Sequence, residues 1–539
     1  MAKRLLTNGK IFTSNSNEPW AEAVVLDGNK IAYVGTTEGA TEFAGEGVQA
    51  EDLGGKLVTP GLIDGHLHVF AATVFDGLLR LDAMTPEQMV EAIRKDVEAY
   101  PERDSYTGMG WFDEAFGGEG PNKADLDAIC ADKPMAYLSA SMHTVWCNSK
   151  ALEAASINRD TPDIDAAAGV VYVRDENGEP TGYCKEIASM DKVMGAVKYF
   201  DDDAMAKAME RFEKQCAQEG ITSLVDCGAM SFMKYILNDE LCAKIDTDEC
   251  PVRLNFCGFA GVAGLYDLSF DVSSTYSKKF NNDRFFCSFY KLFNDGTLET
   301  TSAAIPSEYP NGNVIAPIMT PKVLAEKFEQ CANAGIDVNI HAIGSDAIHN
   351  VLVAAGMVRE KGIKDLRIVC SHSSYVYPED IELFGKNGVF SDTTGLWISQ
   401  ADEETDKMIE GLTKAKSYPM KSIINSGAKV GLGSDFPTDP TSFPPMQNAE
   451  CLVTRRPVGE KDGYLHQGEE CLSVEEVILG YTINNAYQMR KEDVLGSIEV
   501  GKYADLTVFE QNLFEVEPHE IHNVKVSQTI KDGFTTYSA

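Results

Sequence analysis

The hydrophobic pattern changes its period along the chain. The first ~55 residues alternate in the manner of strands, RLLTNGKIFT and then EAVVLDGNKIAYVG, with Asn8-Gly9 and Asp27-Gly28-Asn29 as hairpin-type turn signals. The last ~45 residues, GSIEVGKYADLTVFE and VKVSQTIKDGFTTYS, alternate in the same way. Two β-rich ends around a long middle predict one small β-sandwich built from both termini, residues 1–56 and 495–539.

The middle, 57–494, sets short apolar runs among helical stretches. Eight runs stand out: KLVTPGLIDGHLHVF, ITSLVDCG, VRLNFCGF, FFCSFYKLF, IDVNIHAIG, LRIVCSH, NGVFSDTT and AKVGLGSD. Each is nearly continuous in Val, Ile, Leu and Phe, as strands buried on both faces are. Helix-like segments such as 321–335 and 421–429 follow several of them, so an α/β fold, a (β/α)8 TIM barrel, is expected. The first gap is far longer than one crossover needs. Residues about 72–205 therefore read as an insertion, with its own apolar run KPMAYLSAS and a hairpin-like GVVYVRDENGEPTGY turning at Asn177-Gly178. An insertion after the first strand lies on the face where barrel active sites are built, as a lid or pocket wall.

Composition narrows the partners. With 47 basic and 83 acidic residues the net charge is −36, which repels a phosphate backbone and argues against nucleic acid. The 13 cysteines contain no CxxC pair and no disulfide frame, so a reducing cytoplasm is expected. No N-terminal apolar h-region and no run of about 18 apolar residues is present, so neither a signal peptide nor a membrane span is expected.

The chain has nine histidines, and their placement is informative. His66 and His68 form an HxH pair at the end of the first run, where period two puts both imidazoles on one strand face, suited to a divalent metal. Taken alone such a pair is more often structural; the preceding TPGLIDG raises it. His341 and His372 end two successive runs and Asp435 ends the last. An Asp after Gly-Ser is as often a helix cap, but the last strand of a closed barrel faces the first. Lys291, in FYKLFNDG, ordinarily would snorkel outward or pair with an acid. Beside two cations an ammonium is electrostatically wrong, and reaction of its amine with carbon dioxide resolves the conflict by giving a bridging carbamate. Two divalent ions, taken as zinc, then face a carbamate, the Asp435 carboxylate and a hydroxide, and the site keeps a small positive charge.

This order resembles the amidohydrolase superfamily: HxH on strand one, Lys on strand four, His on strands five and six, Asp on strand eight, between TPGLIDGHLH and LGSIEVGKYADLTVF. More narrowly, KLFNDGTL, IHAIGSDA, GLGSDFP and MHTVWCNSKAL resemble the YtcJ-like branch, which includes N-substituted formamide deformylase. Departures are Ser345 before Asp346, where the branch reads HAIGD, and Ser141-Met142-His143, where it reads Asp-Gly-His.

The resemblance implies hydrolysis of a carbon–nitrogen amide bond, N-acyl or N-formyl, by a hydroxide bridging two metals. Asp435 would move the proton from water to the leaving nitrogen. The expected metal set is His66, His68, carboxylated Lys291, His341, His372 and Asp435. Glu186, which more simply reads as a solvated helix-start acid, is a pocket candidate. So are Trp111, His143, Trp146 and Trp397, although tryptophan is more often plain core. The partner is a small-molecule substrate, and a homodimer is left open. Rival readings are a cyclic amide or lactone hydrolase, a deaminase and a non-catalytic barrel homologue. The deaminase lacks its acid, because Gly344 stands three residues after His341; the homologue conflicts with six filled ligand positions.

Overall fold

Residues 3–76, 78–166, 169–197, 202–228, 239–247, 250–262, 264–298, 300–400, 403–438 and 443–539 are described by a computed structural model. The eight apolar runs supply eight parallel strands: β1 (Leu62–Leu67), β2 (Ile221–Asp226), β3 (Arg253–Phe256), β4 (Phe289–Phe293), β5 (Asp337–Ala342), β6 (Ile368–His372), β7 (Val389–Thr393) and β8 (Val430–Leu432). β1, β2 and β3 pair in order, as do β4 to β8. A parallel bridge between Gly261 and Leu292 brings the chain beyond β3 to β4. At the other edge Asp435 N donates to His66 O at 2.7 Å and His68 N to Phe436 O at 2.8 Å, so the ends of the first and last strands lie side by side. All eight are buried along their length, which is why their sequences lack polar alternation.

Two runs are divided. In FFCSFYKLF, Phe285–Phe286 pairs with β3 while β4 pairs with β5. Between them Asn255 Oδ1 accepts from Ser288 N at 3.2 Å and from Ser288 Oγ at 3.0 Å, a side-chain substitute for the ladder. In KLVTPGLIDGHLHVF the break is Gly61. Leu57–Pro60 belongs to another sheet, and a Cβ at Gly61 would stand 2.2 Å from Thr222 Oγ1.

That other sheet takes strands from both chain ends, in the order 534–538, 526–531, 506–509, 57–60, 10–12, 20–21. A second sheet orders 30–35, 23–27, 4–7 and 50–52. One apolar cluster, including Leu6, Val24, Leu26, Val58, Leu506, Val508 and Ile530, joins the two.

Between β1 and β2 the chain makes a mixed six-stranded sheet, 171–174, 180–185, 144–147, 135–139, 106–111 and 79–80. The helix Pro86–Ala99 covers it, started by a capping box between Thr85 and Gln88 with Pro86 in the first turn. Its core is separate and aromatic: Tyr106, Trp111, Tyr137, Trp146 and Tyr183 with Leu81, Met89 and Met135. The hairpin foreseen at Asn177-Gly178 is present, with Gly178 at φ 80°. No described helix is long and apolar enough to cross a membrane.

Candidate metal centre

His66 lies on β1 and His68 one residue beyond its end, their rings 5.8 Å apart at the centroids. Lys291 is in the middle of β4, His341 is next to last on β5 and His372 ends β6. Asp435 follows β8 by three residues. The structure brings these side chains to one place. His66 and His372 are 4.8 Å apart by centroid, and His341 and His372 are 4.6 Å apart. Lys291 Nζ is 3.3 Å from His66 Nε2. Asp435 Oδ1 is 3.2 Å from His68 Nε2 and 3.6 Å from His66 Nε2, and Asp435 Oδ2 is 3.9 Å from His372 Nδ1. All six are buried. His372 and Asp435 both hold positive φ, 72° and 53°, a strained conformation for residues with a side chain, met most often where chemistry requires it.

The hydrogen bonds fix which nitrogens face inward. His68 Nδ1 lies 2.9 Å from Gly228 O, and a carbonyl only accepts, so Nδ1 carries the proton. In the neutral ring His68 Nε2 faces Asp435 Oδ1 at 3.2 Å with a lone pair, so a proton or a cation lies between them. His66 Nδ1 is 3.0 Å from Asp392 Oδ1 in the same arrangement. Electron-pair donors converging in a buried space need a cation between them. His66, His372 and Asp435 offer ligand atoms all within 4.8 Å of one another. The donor set, imidazole and carboxylate, fits a borderline divalent ion such as zinc. Lys291 has no ion-pair partner among the described residues.

Burial, then the neighbouring imidazoles, hold His341 and His372 well below the ordinary histidine range and therefore neutral, as ligands must be. His66 is lowered by burial and by Lys291. For His68 burial again disfavours the charge but is outweighed by Asp435, and its pKa is raised.

Three supporting carboxylates are absent from the sequence reading. Asp392, on β7, accepts from His66, from His372 N at 3.2 Å and from Ser371 Oγ at 2.8 Å. Asp64 accepts from His66 N at 3.2 Å and Ser434 N at 3.0 Å, tying β1 to the loop of Asp435. Asp295 accepts three backbone N–H groups, from Ala304, Ile343 and Gly344, at 2.7–3.0 Å. The available signal was position: Asp392 ends the run NGVFSD between those of His372 and Asp435, and Asp295 follows the Lys291 strand in FNDG.

The pocket candidates separate. His143 and Glu186 are buried together, His143 Nδ1 to Glu186 Oε2 at 2.7 Å, with the His143 ring 5.7 Å from that of His341. Glu186 is thus no solvated acid. Trp397 stacks on His372 at 5.2 Å and 19°. Trp111 and Trp146 are not at the centre. Both sit fully buried in the core of the sheet between β1 and β2, their indole N–H groups spent on Tyr137 O and Asn122 O, each at 2.9 Å. They are core because that sheet needs its own apolar interior, and tryptophan supplies the largest volume for it.

A model of the amidohydrolase family matches residues 49–537. The Bacillus subtilis (strain 168) protein YtcJ is 27% identical, covering 99% of this chain and 99% of its own. N-substituted formamide deformylase of Arthrobacter pascens is 23% identical, covering 100% of this chain and 98% of its own. Among solved structures, an uncharacterized metal-dependent hydrolase from Pyrococcus horikoshii OT3 superposes with a TM-score of 0.71 at 21% identity, over 96% of this chain and 99% of that one.

Proposed function

Because the chain belongs to the amidohydrolase family, we propose that it hydrolyses the carbon–nitrogen bond of a small N-acyl or N-formyl amide. In this reading His66, His68, Lys291, His341, His372 and Asp435 hold two divalent ions, zinc being the proposed metal, with Lys291 as its carbamate. The observation that carries it is the convergence of His66, His372 and Asp435 in a buried space, their ligand atoms all within 4.8 Å of one another and His68 Nε2 3.2 Å from the same carboxylate.

When bound, the metals supply Lewis acidity and a water acidic enough to react near neutrality. The protein's own part is proton transfer and placement. Asp435 accepts the proton of the attacking water and passes it to the departing nitrogen, which leaves as a neutral amine. Asp392 and Gly228 O hold the rings of His66 and His68 in the tautomers that aim Nε2 inward. Trp397 closes one side against His372.

The pairings at both sheet edges support a closed (β/α)8 barrel over 57–494. The apolar cluster shared by the chain ends supports a β-sandwich of 1–56 and 495–539, and the six-stranded sheet belongs to the proposed insertion of about 72–205. Thirteen free cysteines, ten of them buried, favour a reducing cytoplasm. A deaminase-type acid three residues after His341 has no room: a Cβ at Gly344 would stand 2.2 Å from Ala304 O.

The test is metal analysis of the purified protein followed by a screen of N-formyl and N-acyl amines on apoprotein reloaded with zinc, manganese or iron, products read by mass spectrometry. Amine release restored by metal and abolished by chelation is expected. A metal-loaded protein that cleaves none of these amides while opening a lactone or releasing ammonia from a heterocycle would overturn the substrate assignment. Absence of bound metal after reloading would overturn the enzyme.

A further inference from the structure

Glu186 directly follows the strand 180–185 and is buried, with its backbone at φ 67°, ψ 150°, a region almost restricted to glycine. A residue with a side chain persists there only when its surroundings hold it, and these surroundings are specific. Its backbone N donates to His143 O at 2.7 Å, and its Oε2 lies 2.7 Å from His143 Nδ1. Its Oε1 accepts from Ser302 Oγ and, at 3.2 Å, from Thr300 Oγ1. One carboxylate oxygen therefore engages the sheet between β1 and β2, and the other engages the loop that follows β4.

That loop closes on itself through Ser302. Ser302 Oγ accepts from Thr297 N at 3.1 Å, and Ser302 O accepts from Gly296 N at 3.0 Å. A Cβ at Gly296 would stand 2.1 Å from Ser302 Oγ and 2.7 Å from Glu186 Oε1, so the glycine, the hydroxyl and the carboxylate meet at one point. Gly296 O in turn lies 3.2 Å from His341 Nε2. A carbonyl only accepts, so Nε2 carries the proton and Nδ1 keeps the lone pair.

Resting on the metal-hydrolase reading, we propose that Glu186 is a positioning residue for His341: through Ser302 it holds Gly296 O in the place where that carbonyl fixes the His341 tautomer and leaves Nδ1 as the ligand atom. The sheet of 79–185 then supports the metal centre as well as walling its pocket.

The test titrates zinc into metal-free protein against a competing chelator, with the bound ions counted by elemental analysis. The wild type is expected to hold two. Glu186→Ala and Ser302→Ala are each expected to weaken one ion by about tenfold or more, the ion that His341→Asn loses, and to leave the other unchanged. Glu186→Gln, whose amide oxygen still accepts from Ser302 and Thr300, is expected to keep most of the affinity. Glu186→Ala with Ser302→Ala should weaken that ion no more than Glu186→Ala alone, because both act through one chain of contacts. Cobalt in place of zinc gives a spectroscopic reading. Glu186→Ala should alter the visible bands as His341→Asn does, and Glu186→Gln should keep those of the wild type. Unchanged affinity and bands overturn the proposal. So does equal weakening of both ions with a lowered melting temperature of the metal-free protein, which would make the effect a general loosening. In crystals of the zinc-loaded wild type, coordination by His341 Nδ1 supports the assignment; coordination by Nε2, or by Glu186 itself, overturns it. A wild type that binds no zinc would sink the hydrolase reading and the proposal together. A wild type that holds its zinc and cleaves amides, with variants that bind zinc as it does, would sink the proposal alone.

Discussion

Asp435 is a carboxylate with one oxygen turned on two imidazole nitrogens. Asp435→Asn keeps shape and one ligand oxygen but removes the proton carrier. Turnover should fall by at least about a hundredfold while most metal stays bound, measured by steady-state kinetics beside elemental analysis. At Lys291, protein reloaded in 13C-bicarbonate should give a carbamate carbon resonance that Lys291→Met lacks; no such signal in active enzyme would refute the modification. A third residue lies elsewhere. Burial pushes Glu213 up from 4.5 to about 7, against the lowering bond from Cys250. A carboxyl that binds its proton more tightly in the native state favours folding below the unfolded value, and that advantage disappears as pH rises from about 4.5 through about 7. Glu213→Gln should therefore gain stability over the parent at pH 8, by roughly 1–3 kcal/mol, and gain nothing at pH 4. Chemical denaturation at the two pH values decides it. At this scale strand-end histidines, Lys291 and Asp435 are legible in sequence, because a parallel strand aims its last residues at one centre. Asp392 and Asp64 are not, since a carboxylate inside an apolar run looks the same whether it caps a helix or orients a ring. The burial of Glu186 was hidden too, beside a charged Lys185.

Among the elements, parallel strands were readable from their unbroken apolar sequences, whereas the two divided runs were not: nothing in FFCSFYKLF announces that Asn255 will take over the ladder at Ser288. The sheet of 79–185 was readable as an insertion but not in its depth. Trp146 makes an edge contact with Phe116 at 5.2 Å and a tilted one with Tyr137 at 6.3 Å and has no surface exposed. Trp146→Ala should cost about 3–5 kcal/mol by cavity formation yet leave KM unchanged below the melting range. A raised KM with unchanged melting temperature would restore it to the pocket.

For the whole molecule the cohesion between strands and chain ends is electrostatic as well as apolar. Arg253, on β3 and 1% exposed, bonds Asp505 at 3.1 and 3.3 Å, and also Asp532, which Lys531 holds too, so a cation from the parallel strands pairs with acids at the ends of the C-terminal strands. Arg253→Met would leave the buried Asp505 without its cation while Asp532 keeps Lys531, at a cost of about 3–5 kcal/mol in urea unfolding, whereas Arg253→Met with Asp505→Asn should recover much of it. The β-rich ends were visible in the alternation; this buried ion cluster was not, because its members lie hundreds of positions apart.

Gly61 is all that separates the strand Leu57–Pro60, clasped by Leu506–Phe509, from the strand that carries His66. The C-terminal segment thus acts as an anchor for the first imidazole pair, although it contributes no ligand. A protease nick, a frameshift near position 505 or a bulky C-terminal fusion would slacken that anchor and show itself first as weakened cation retention, long before the fold as a whole gave way.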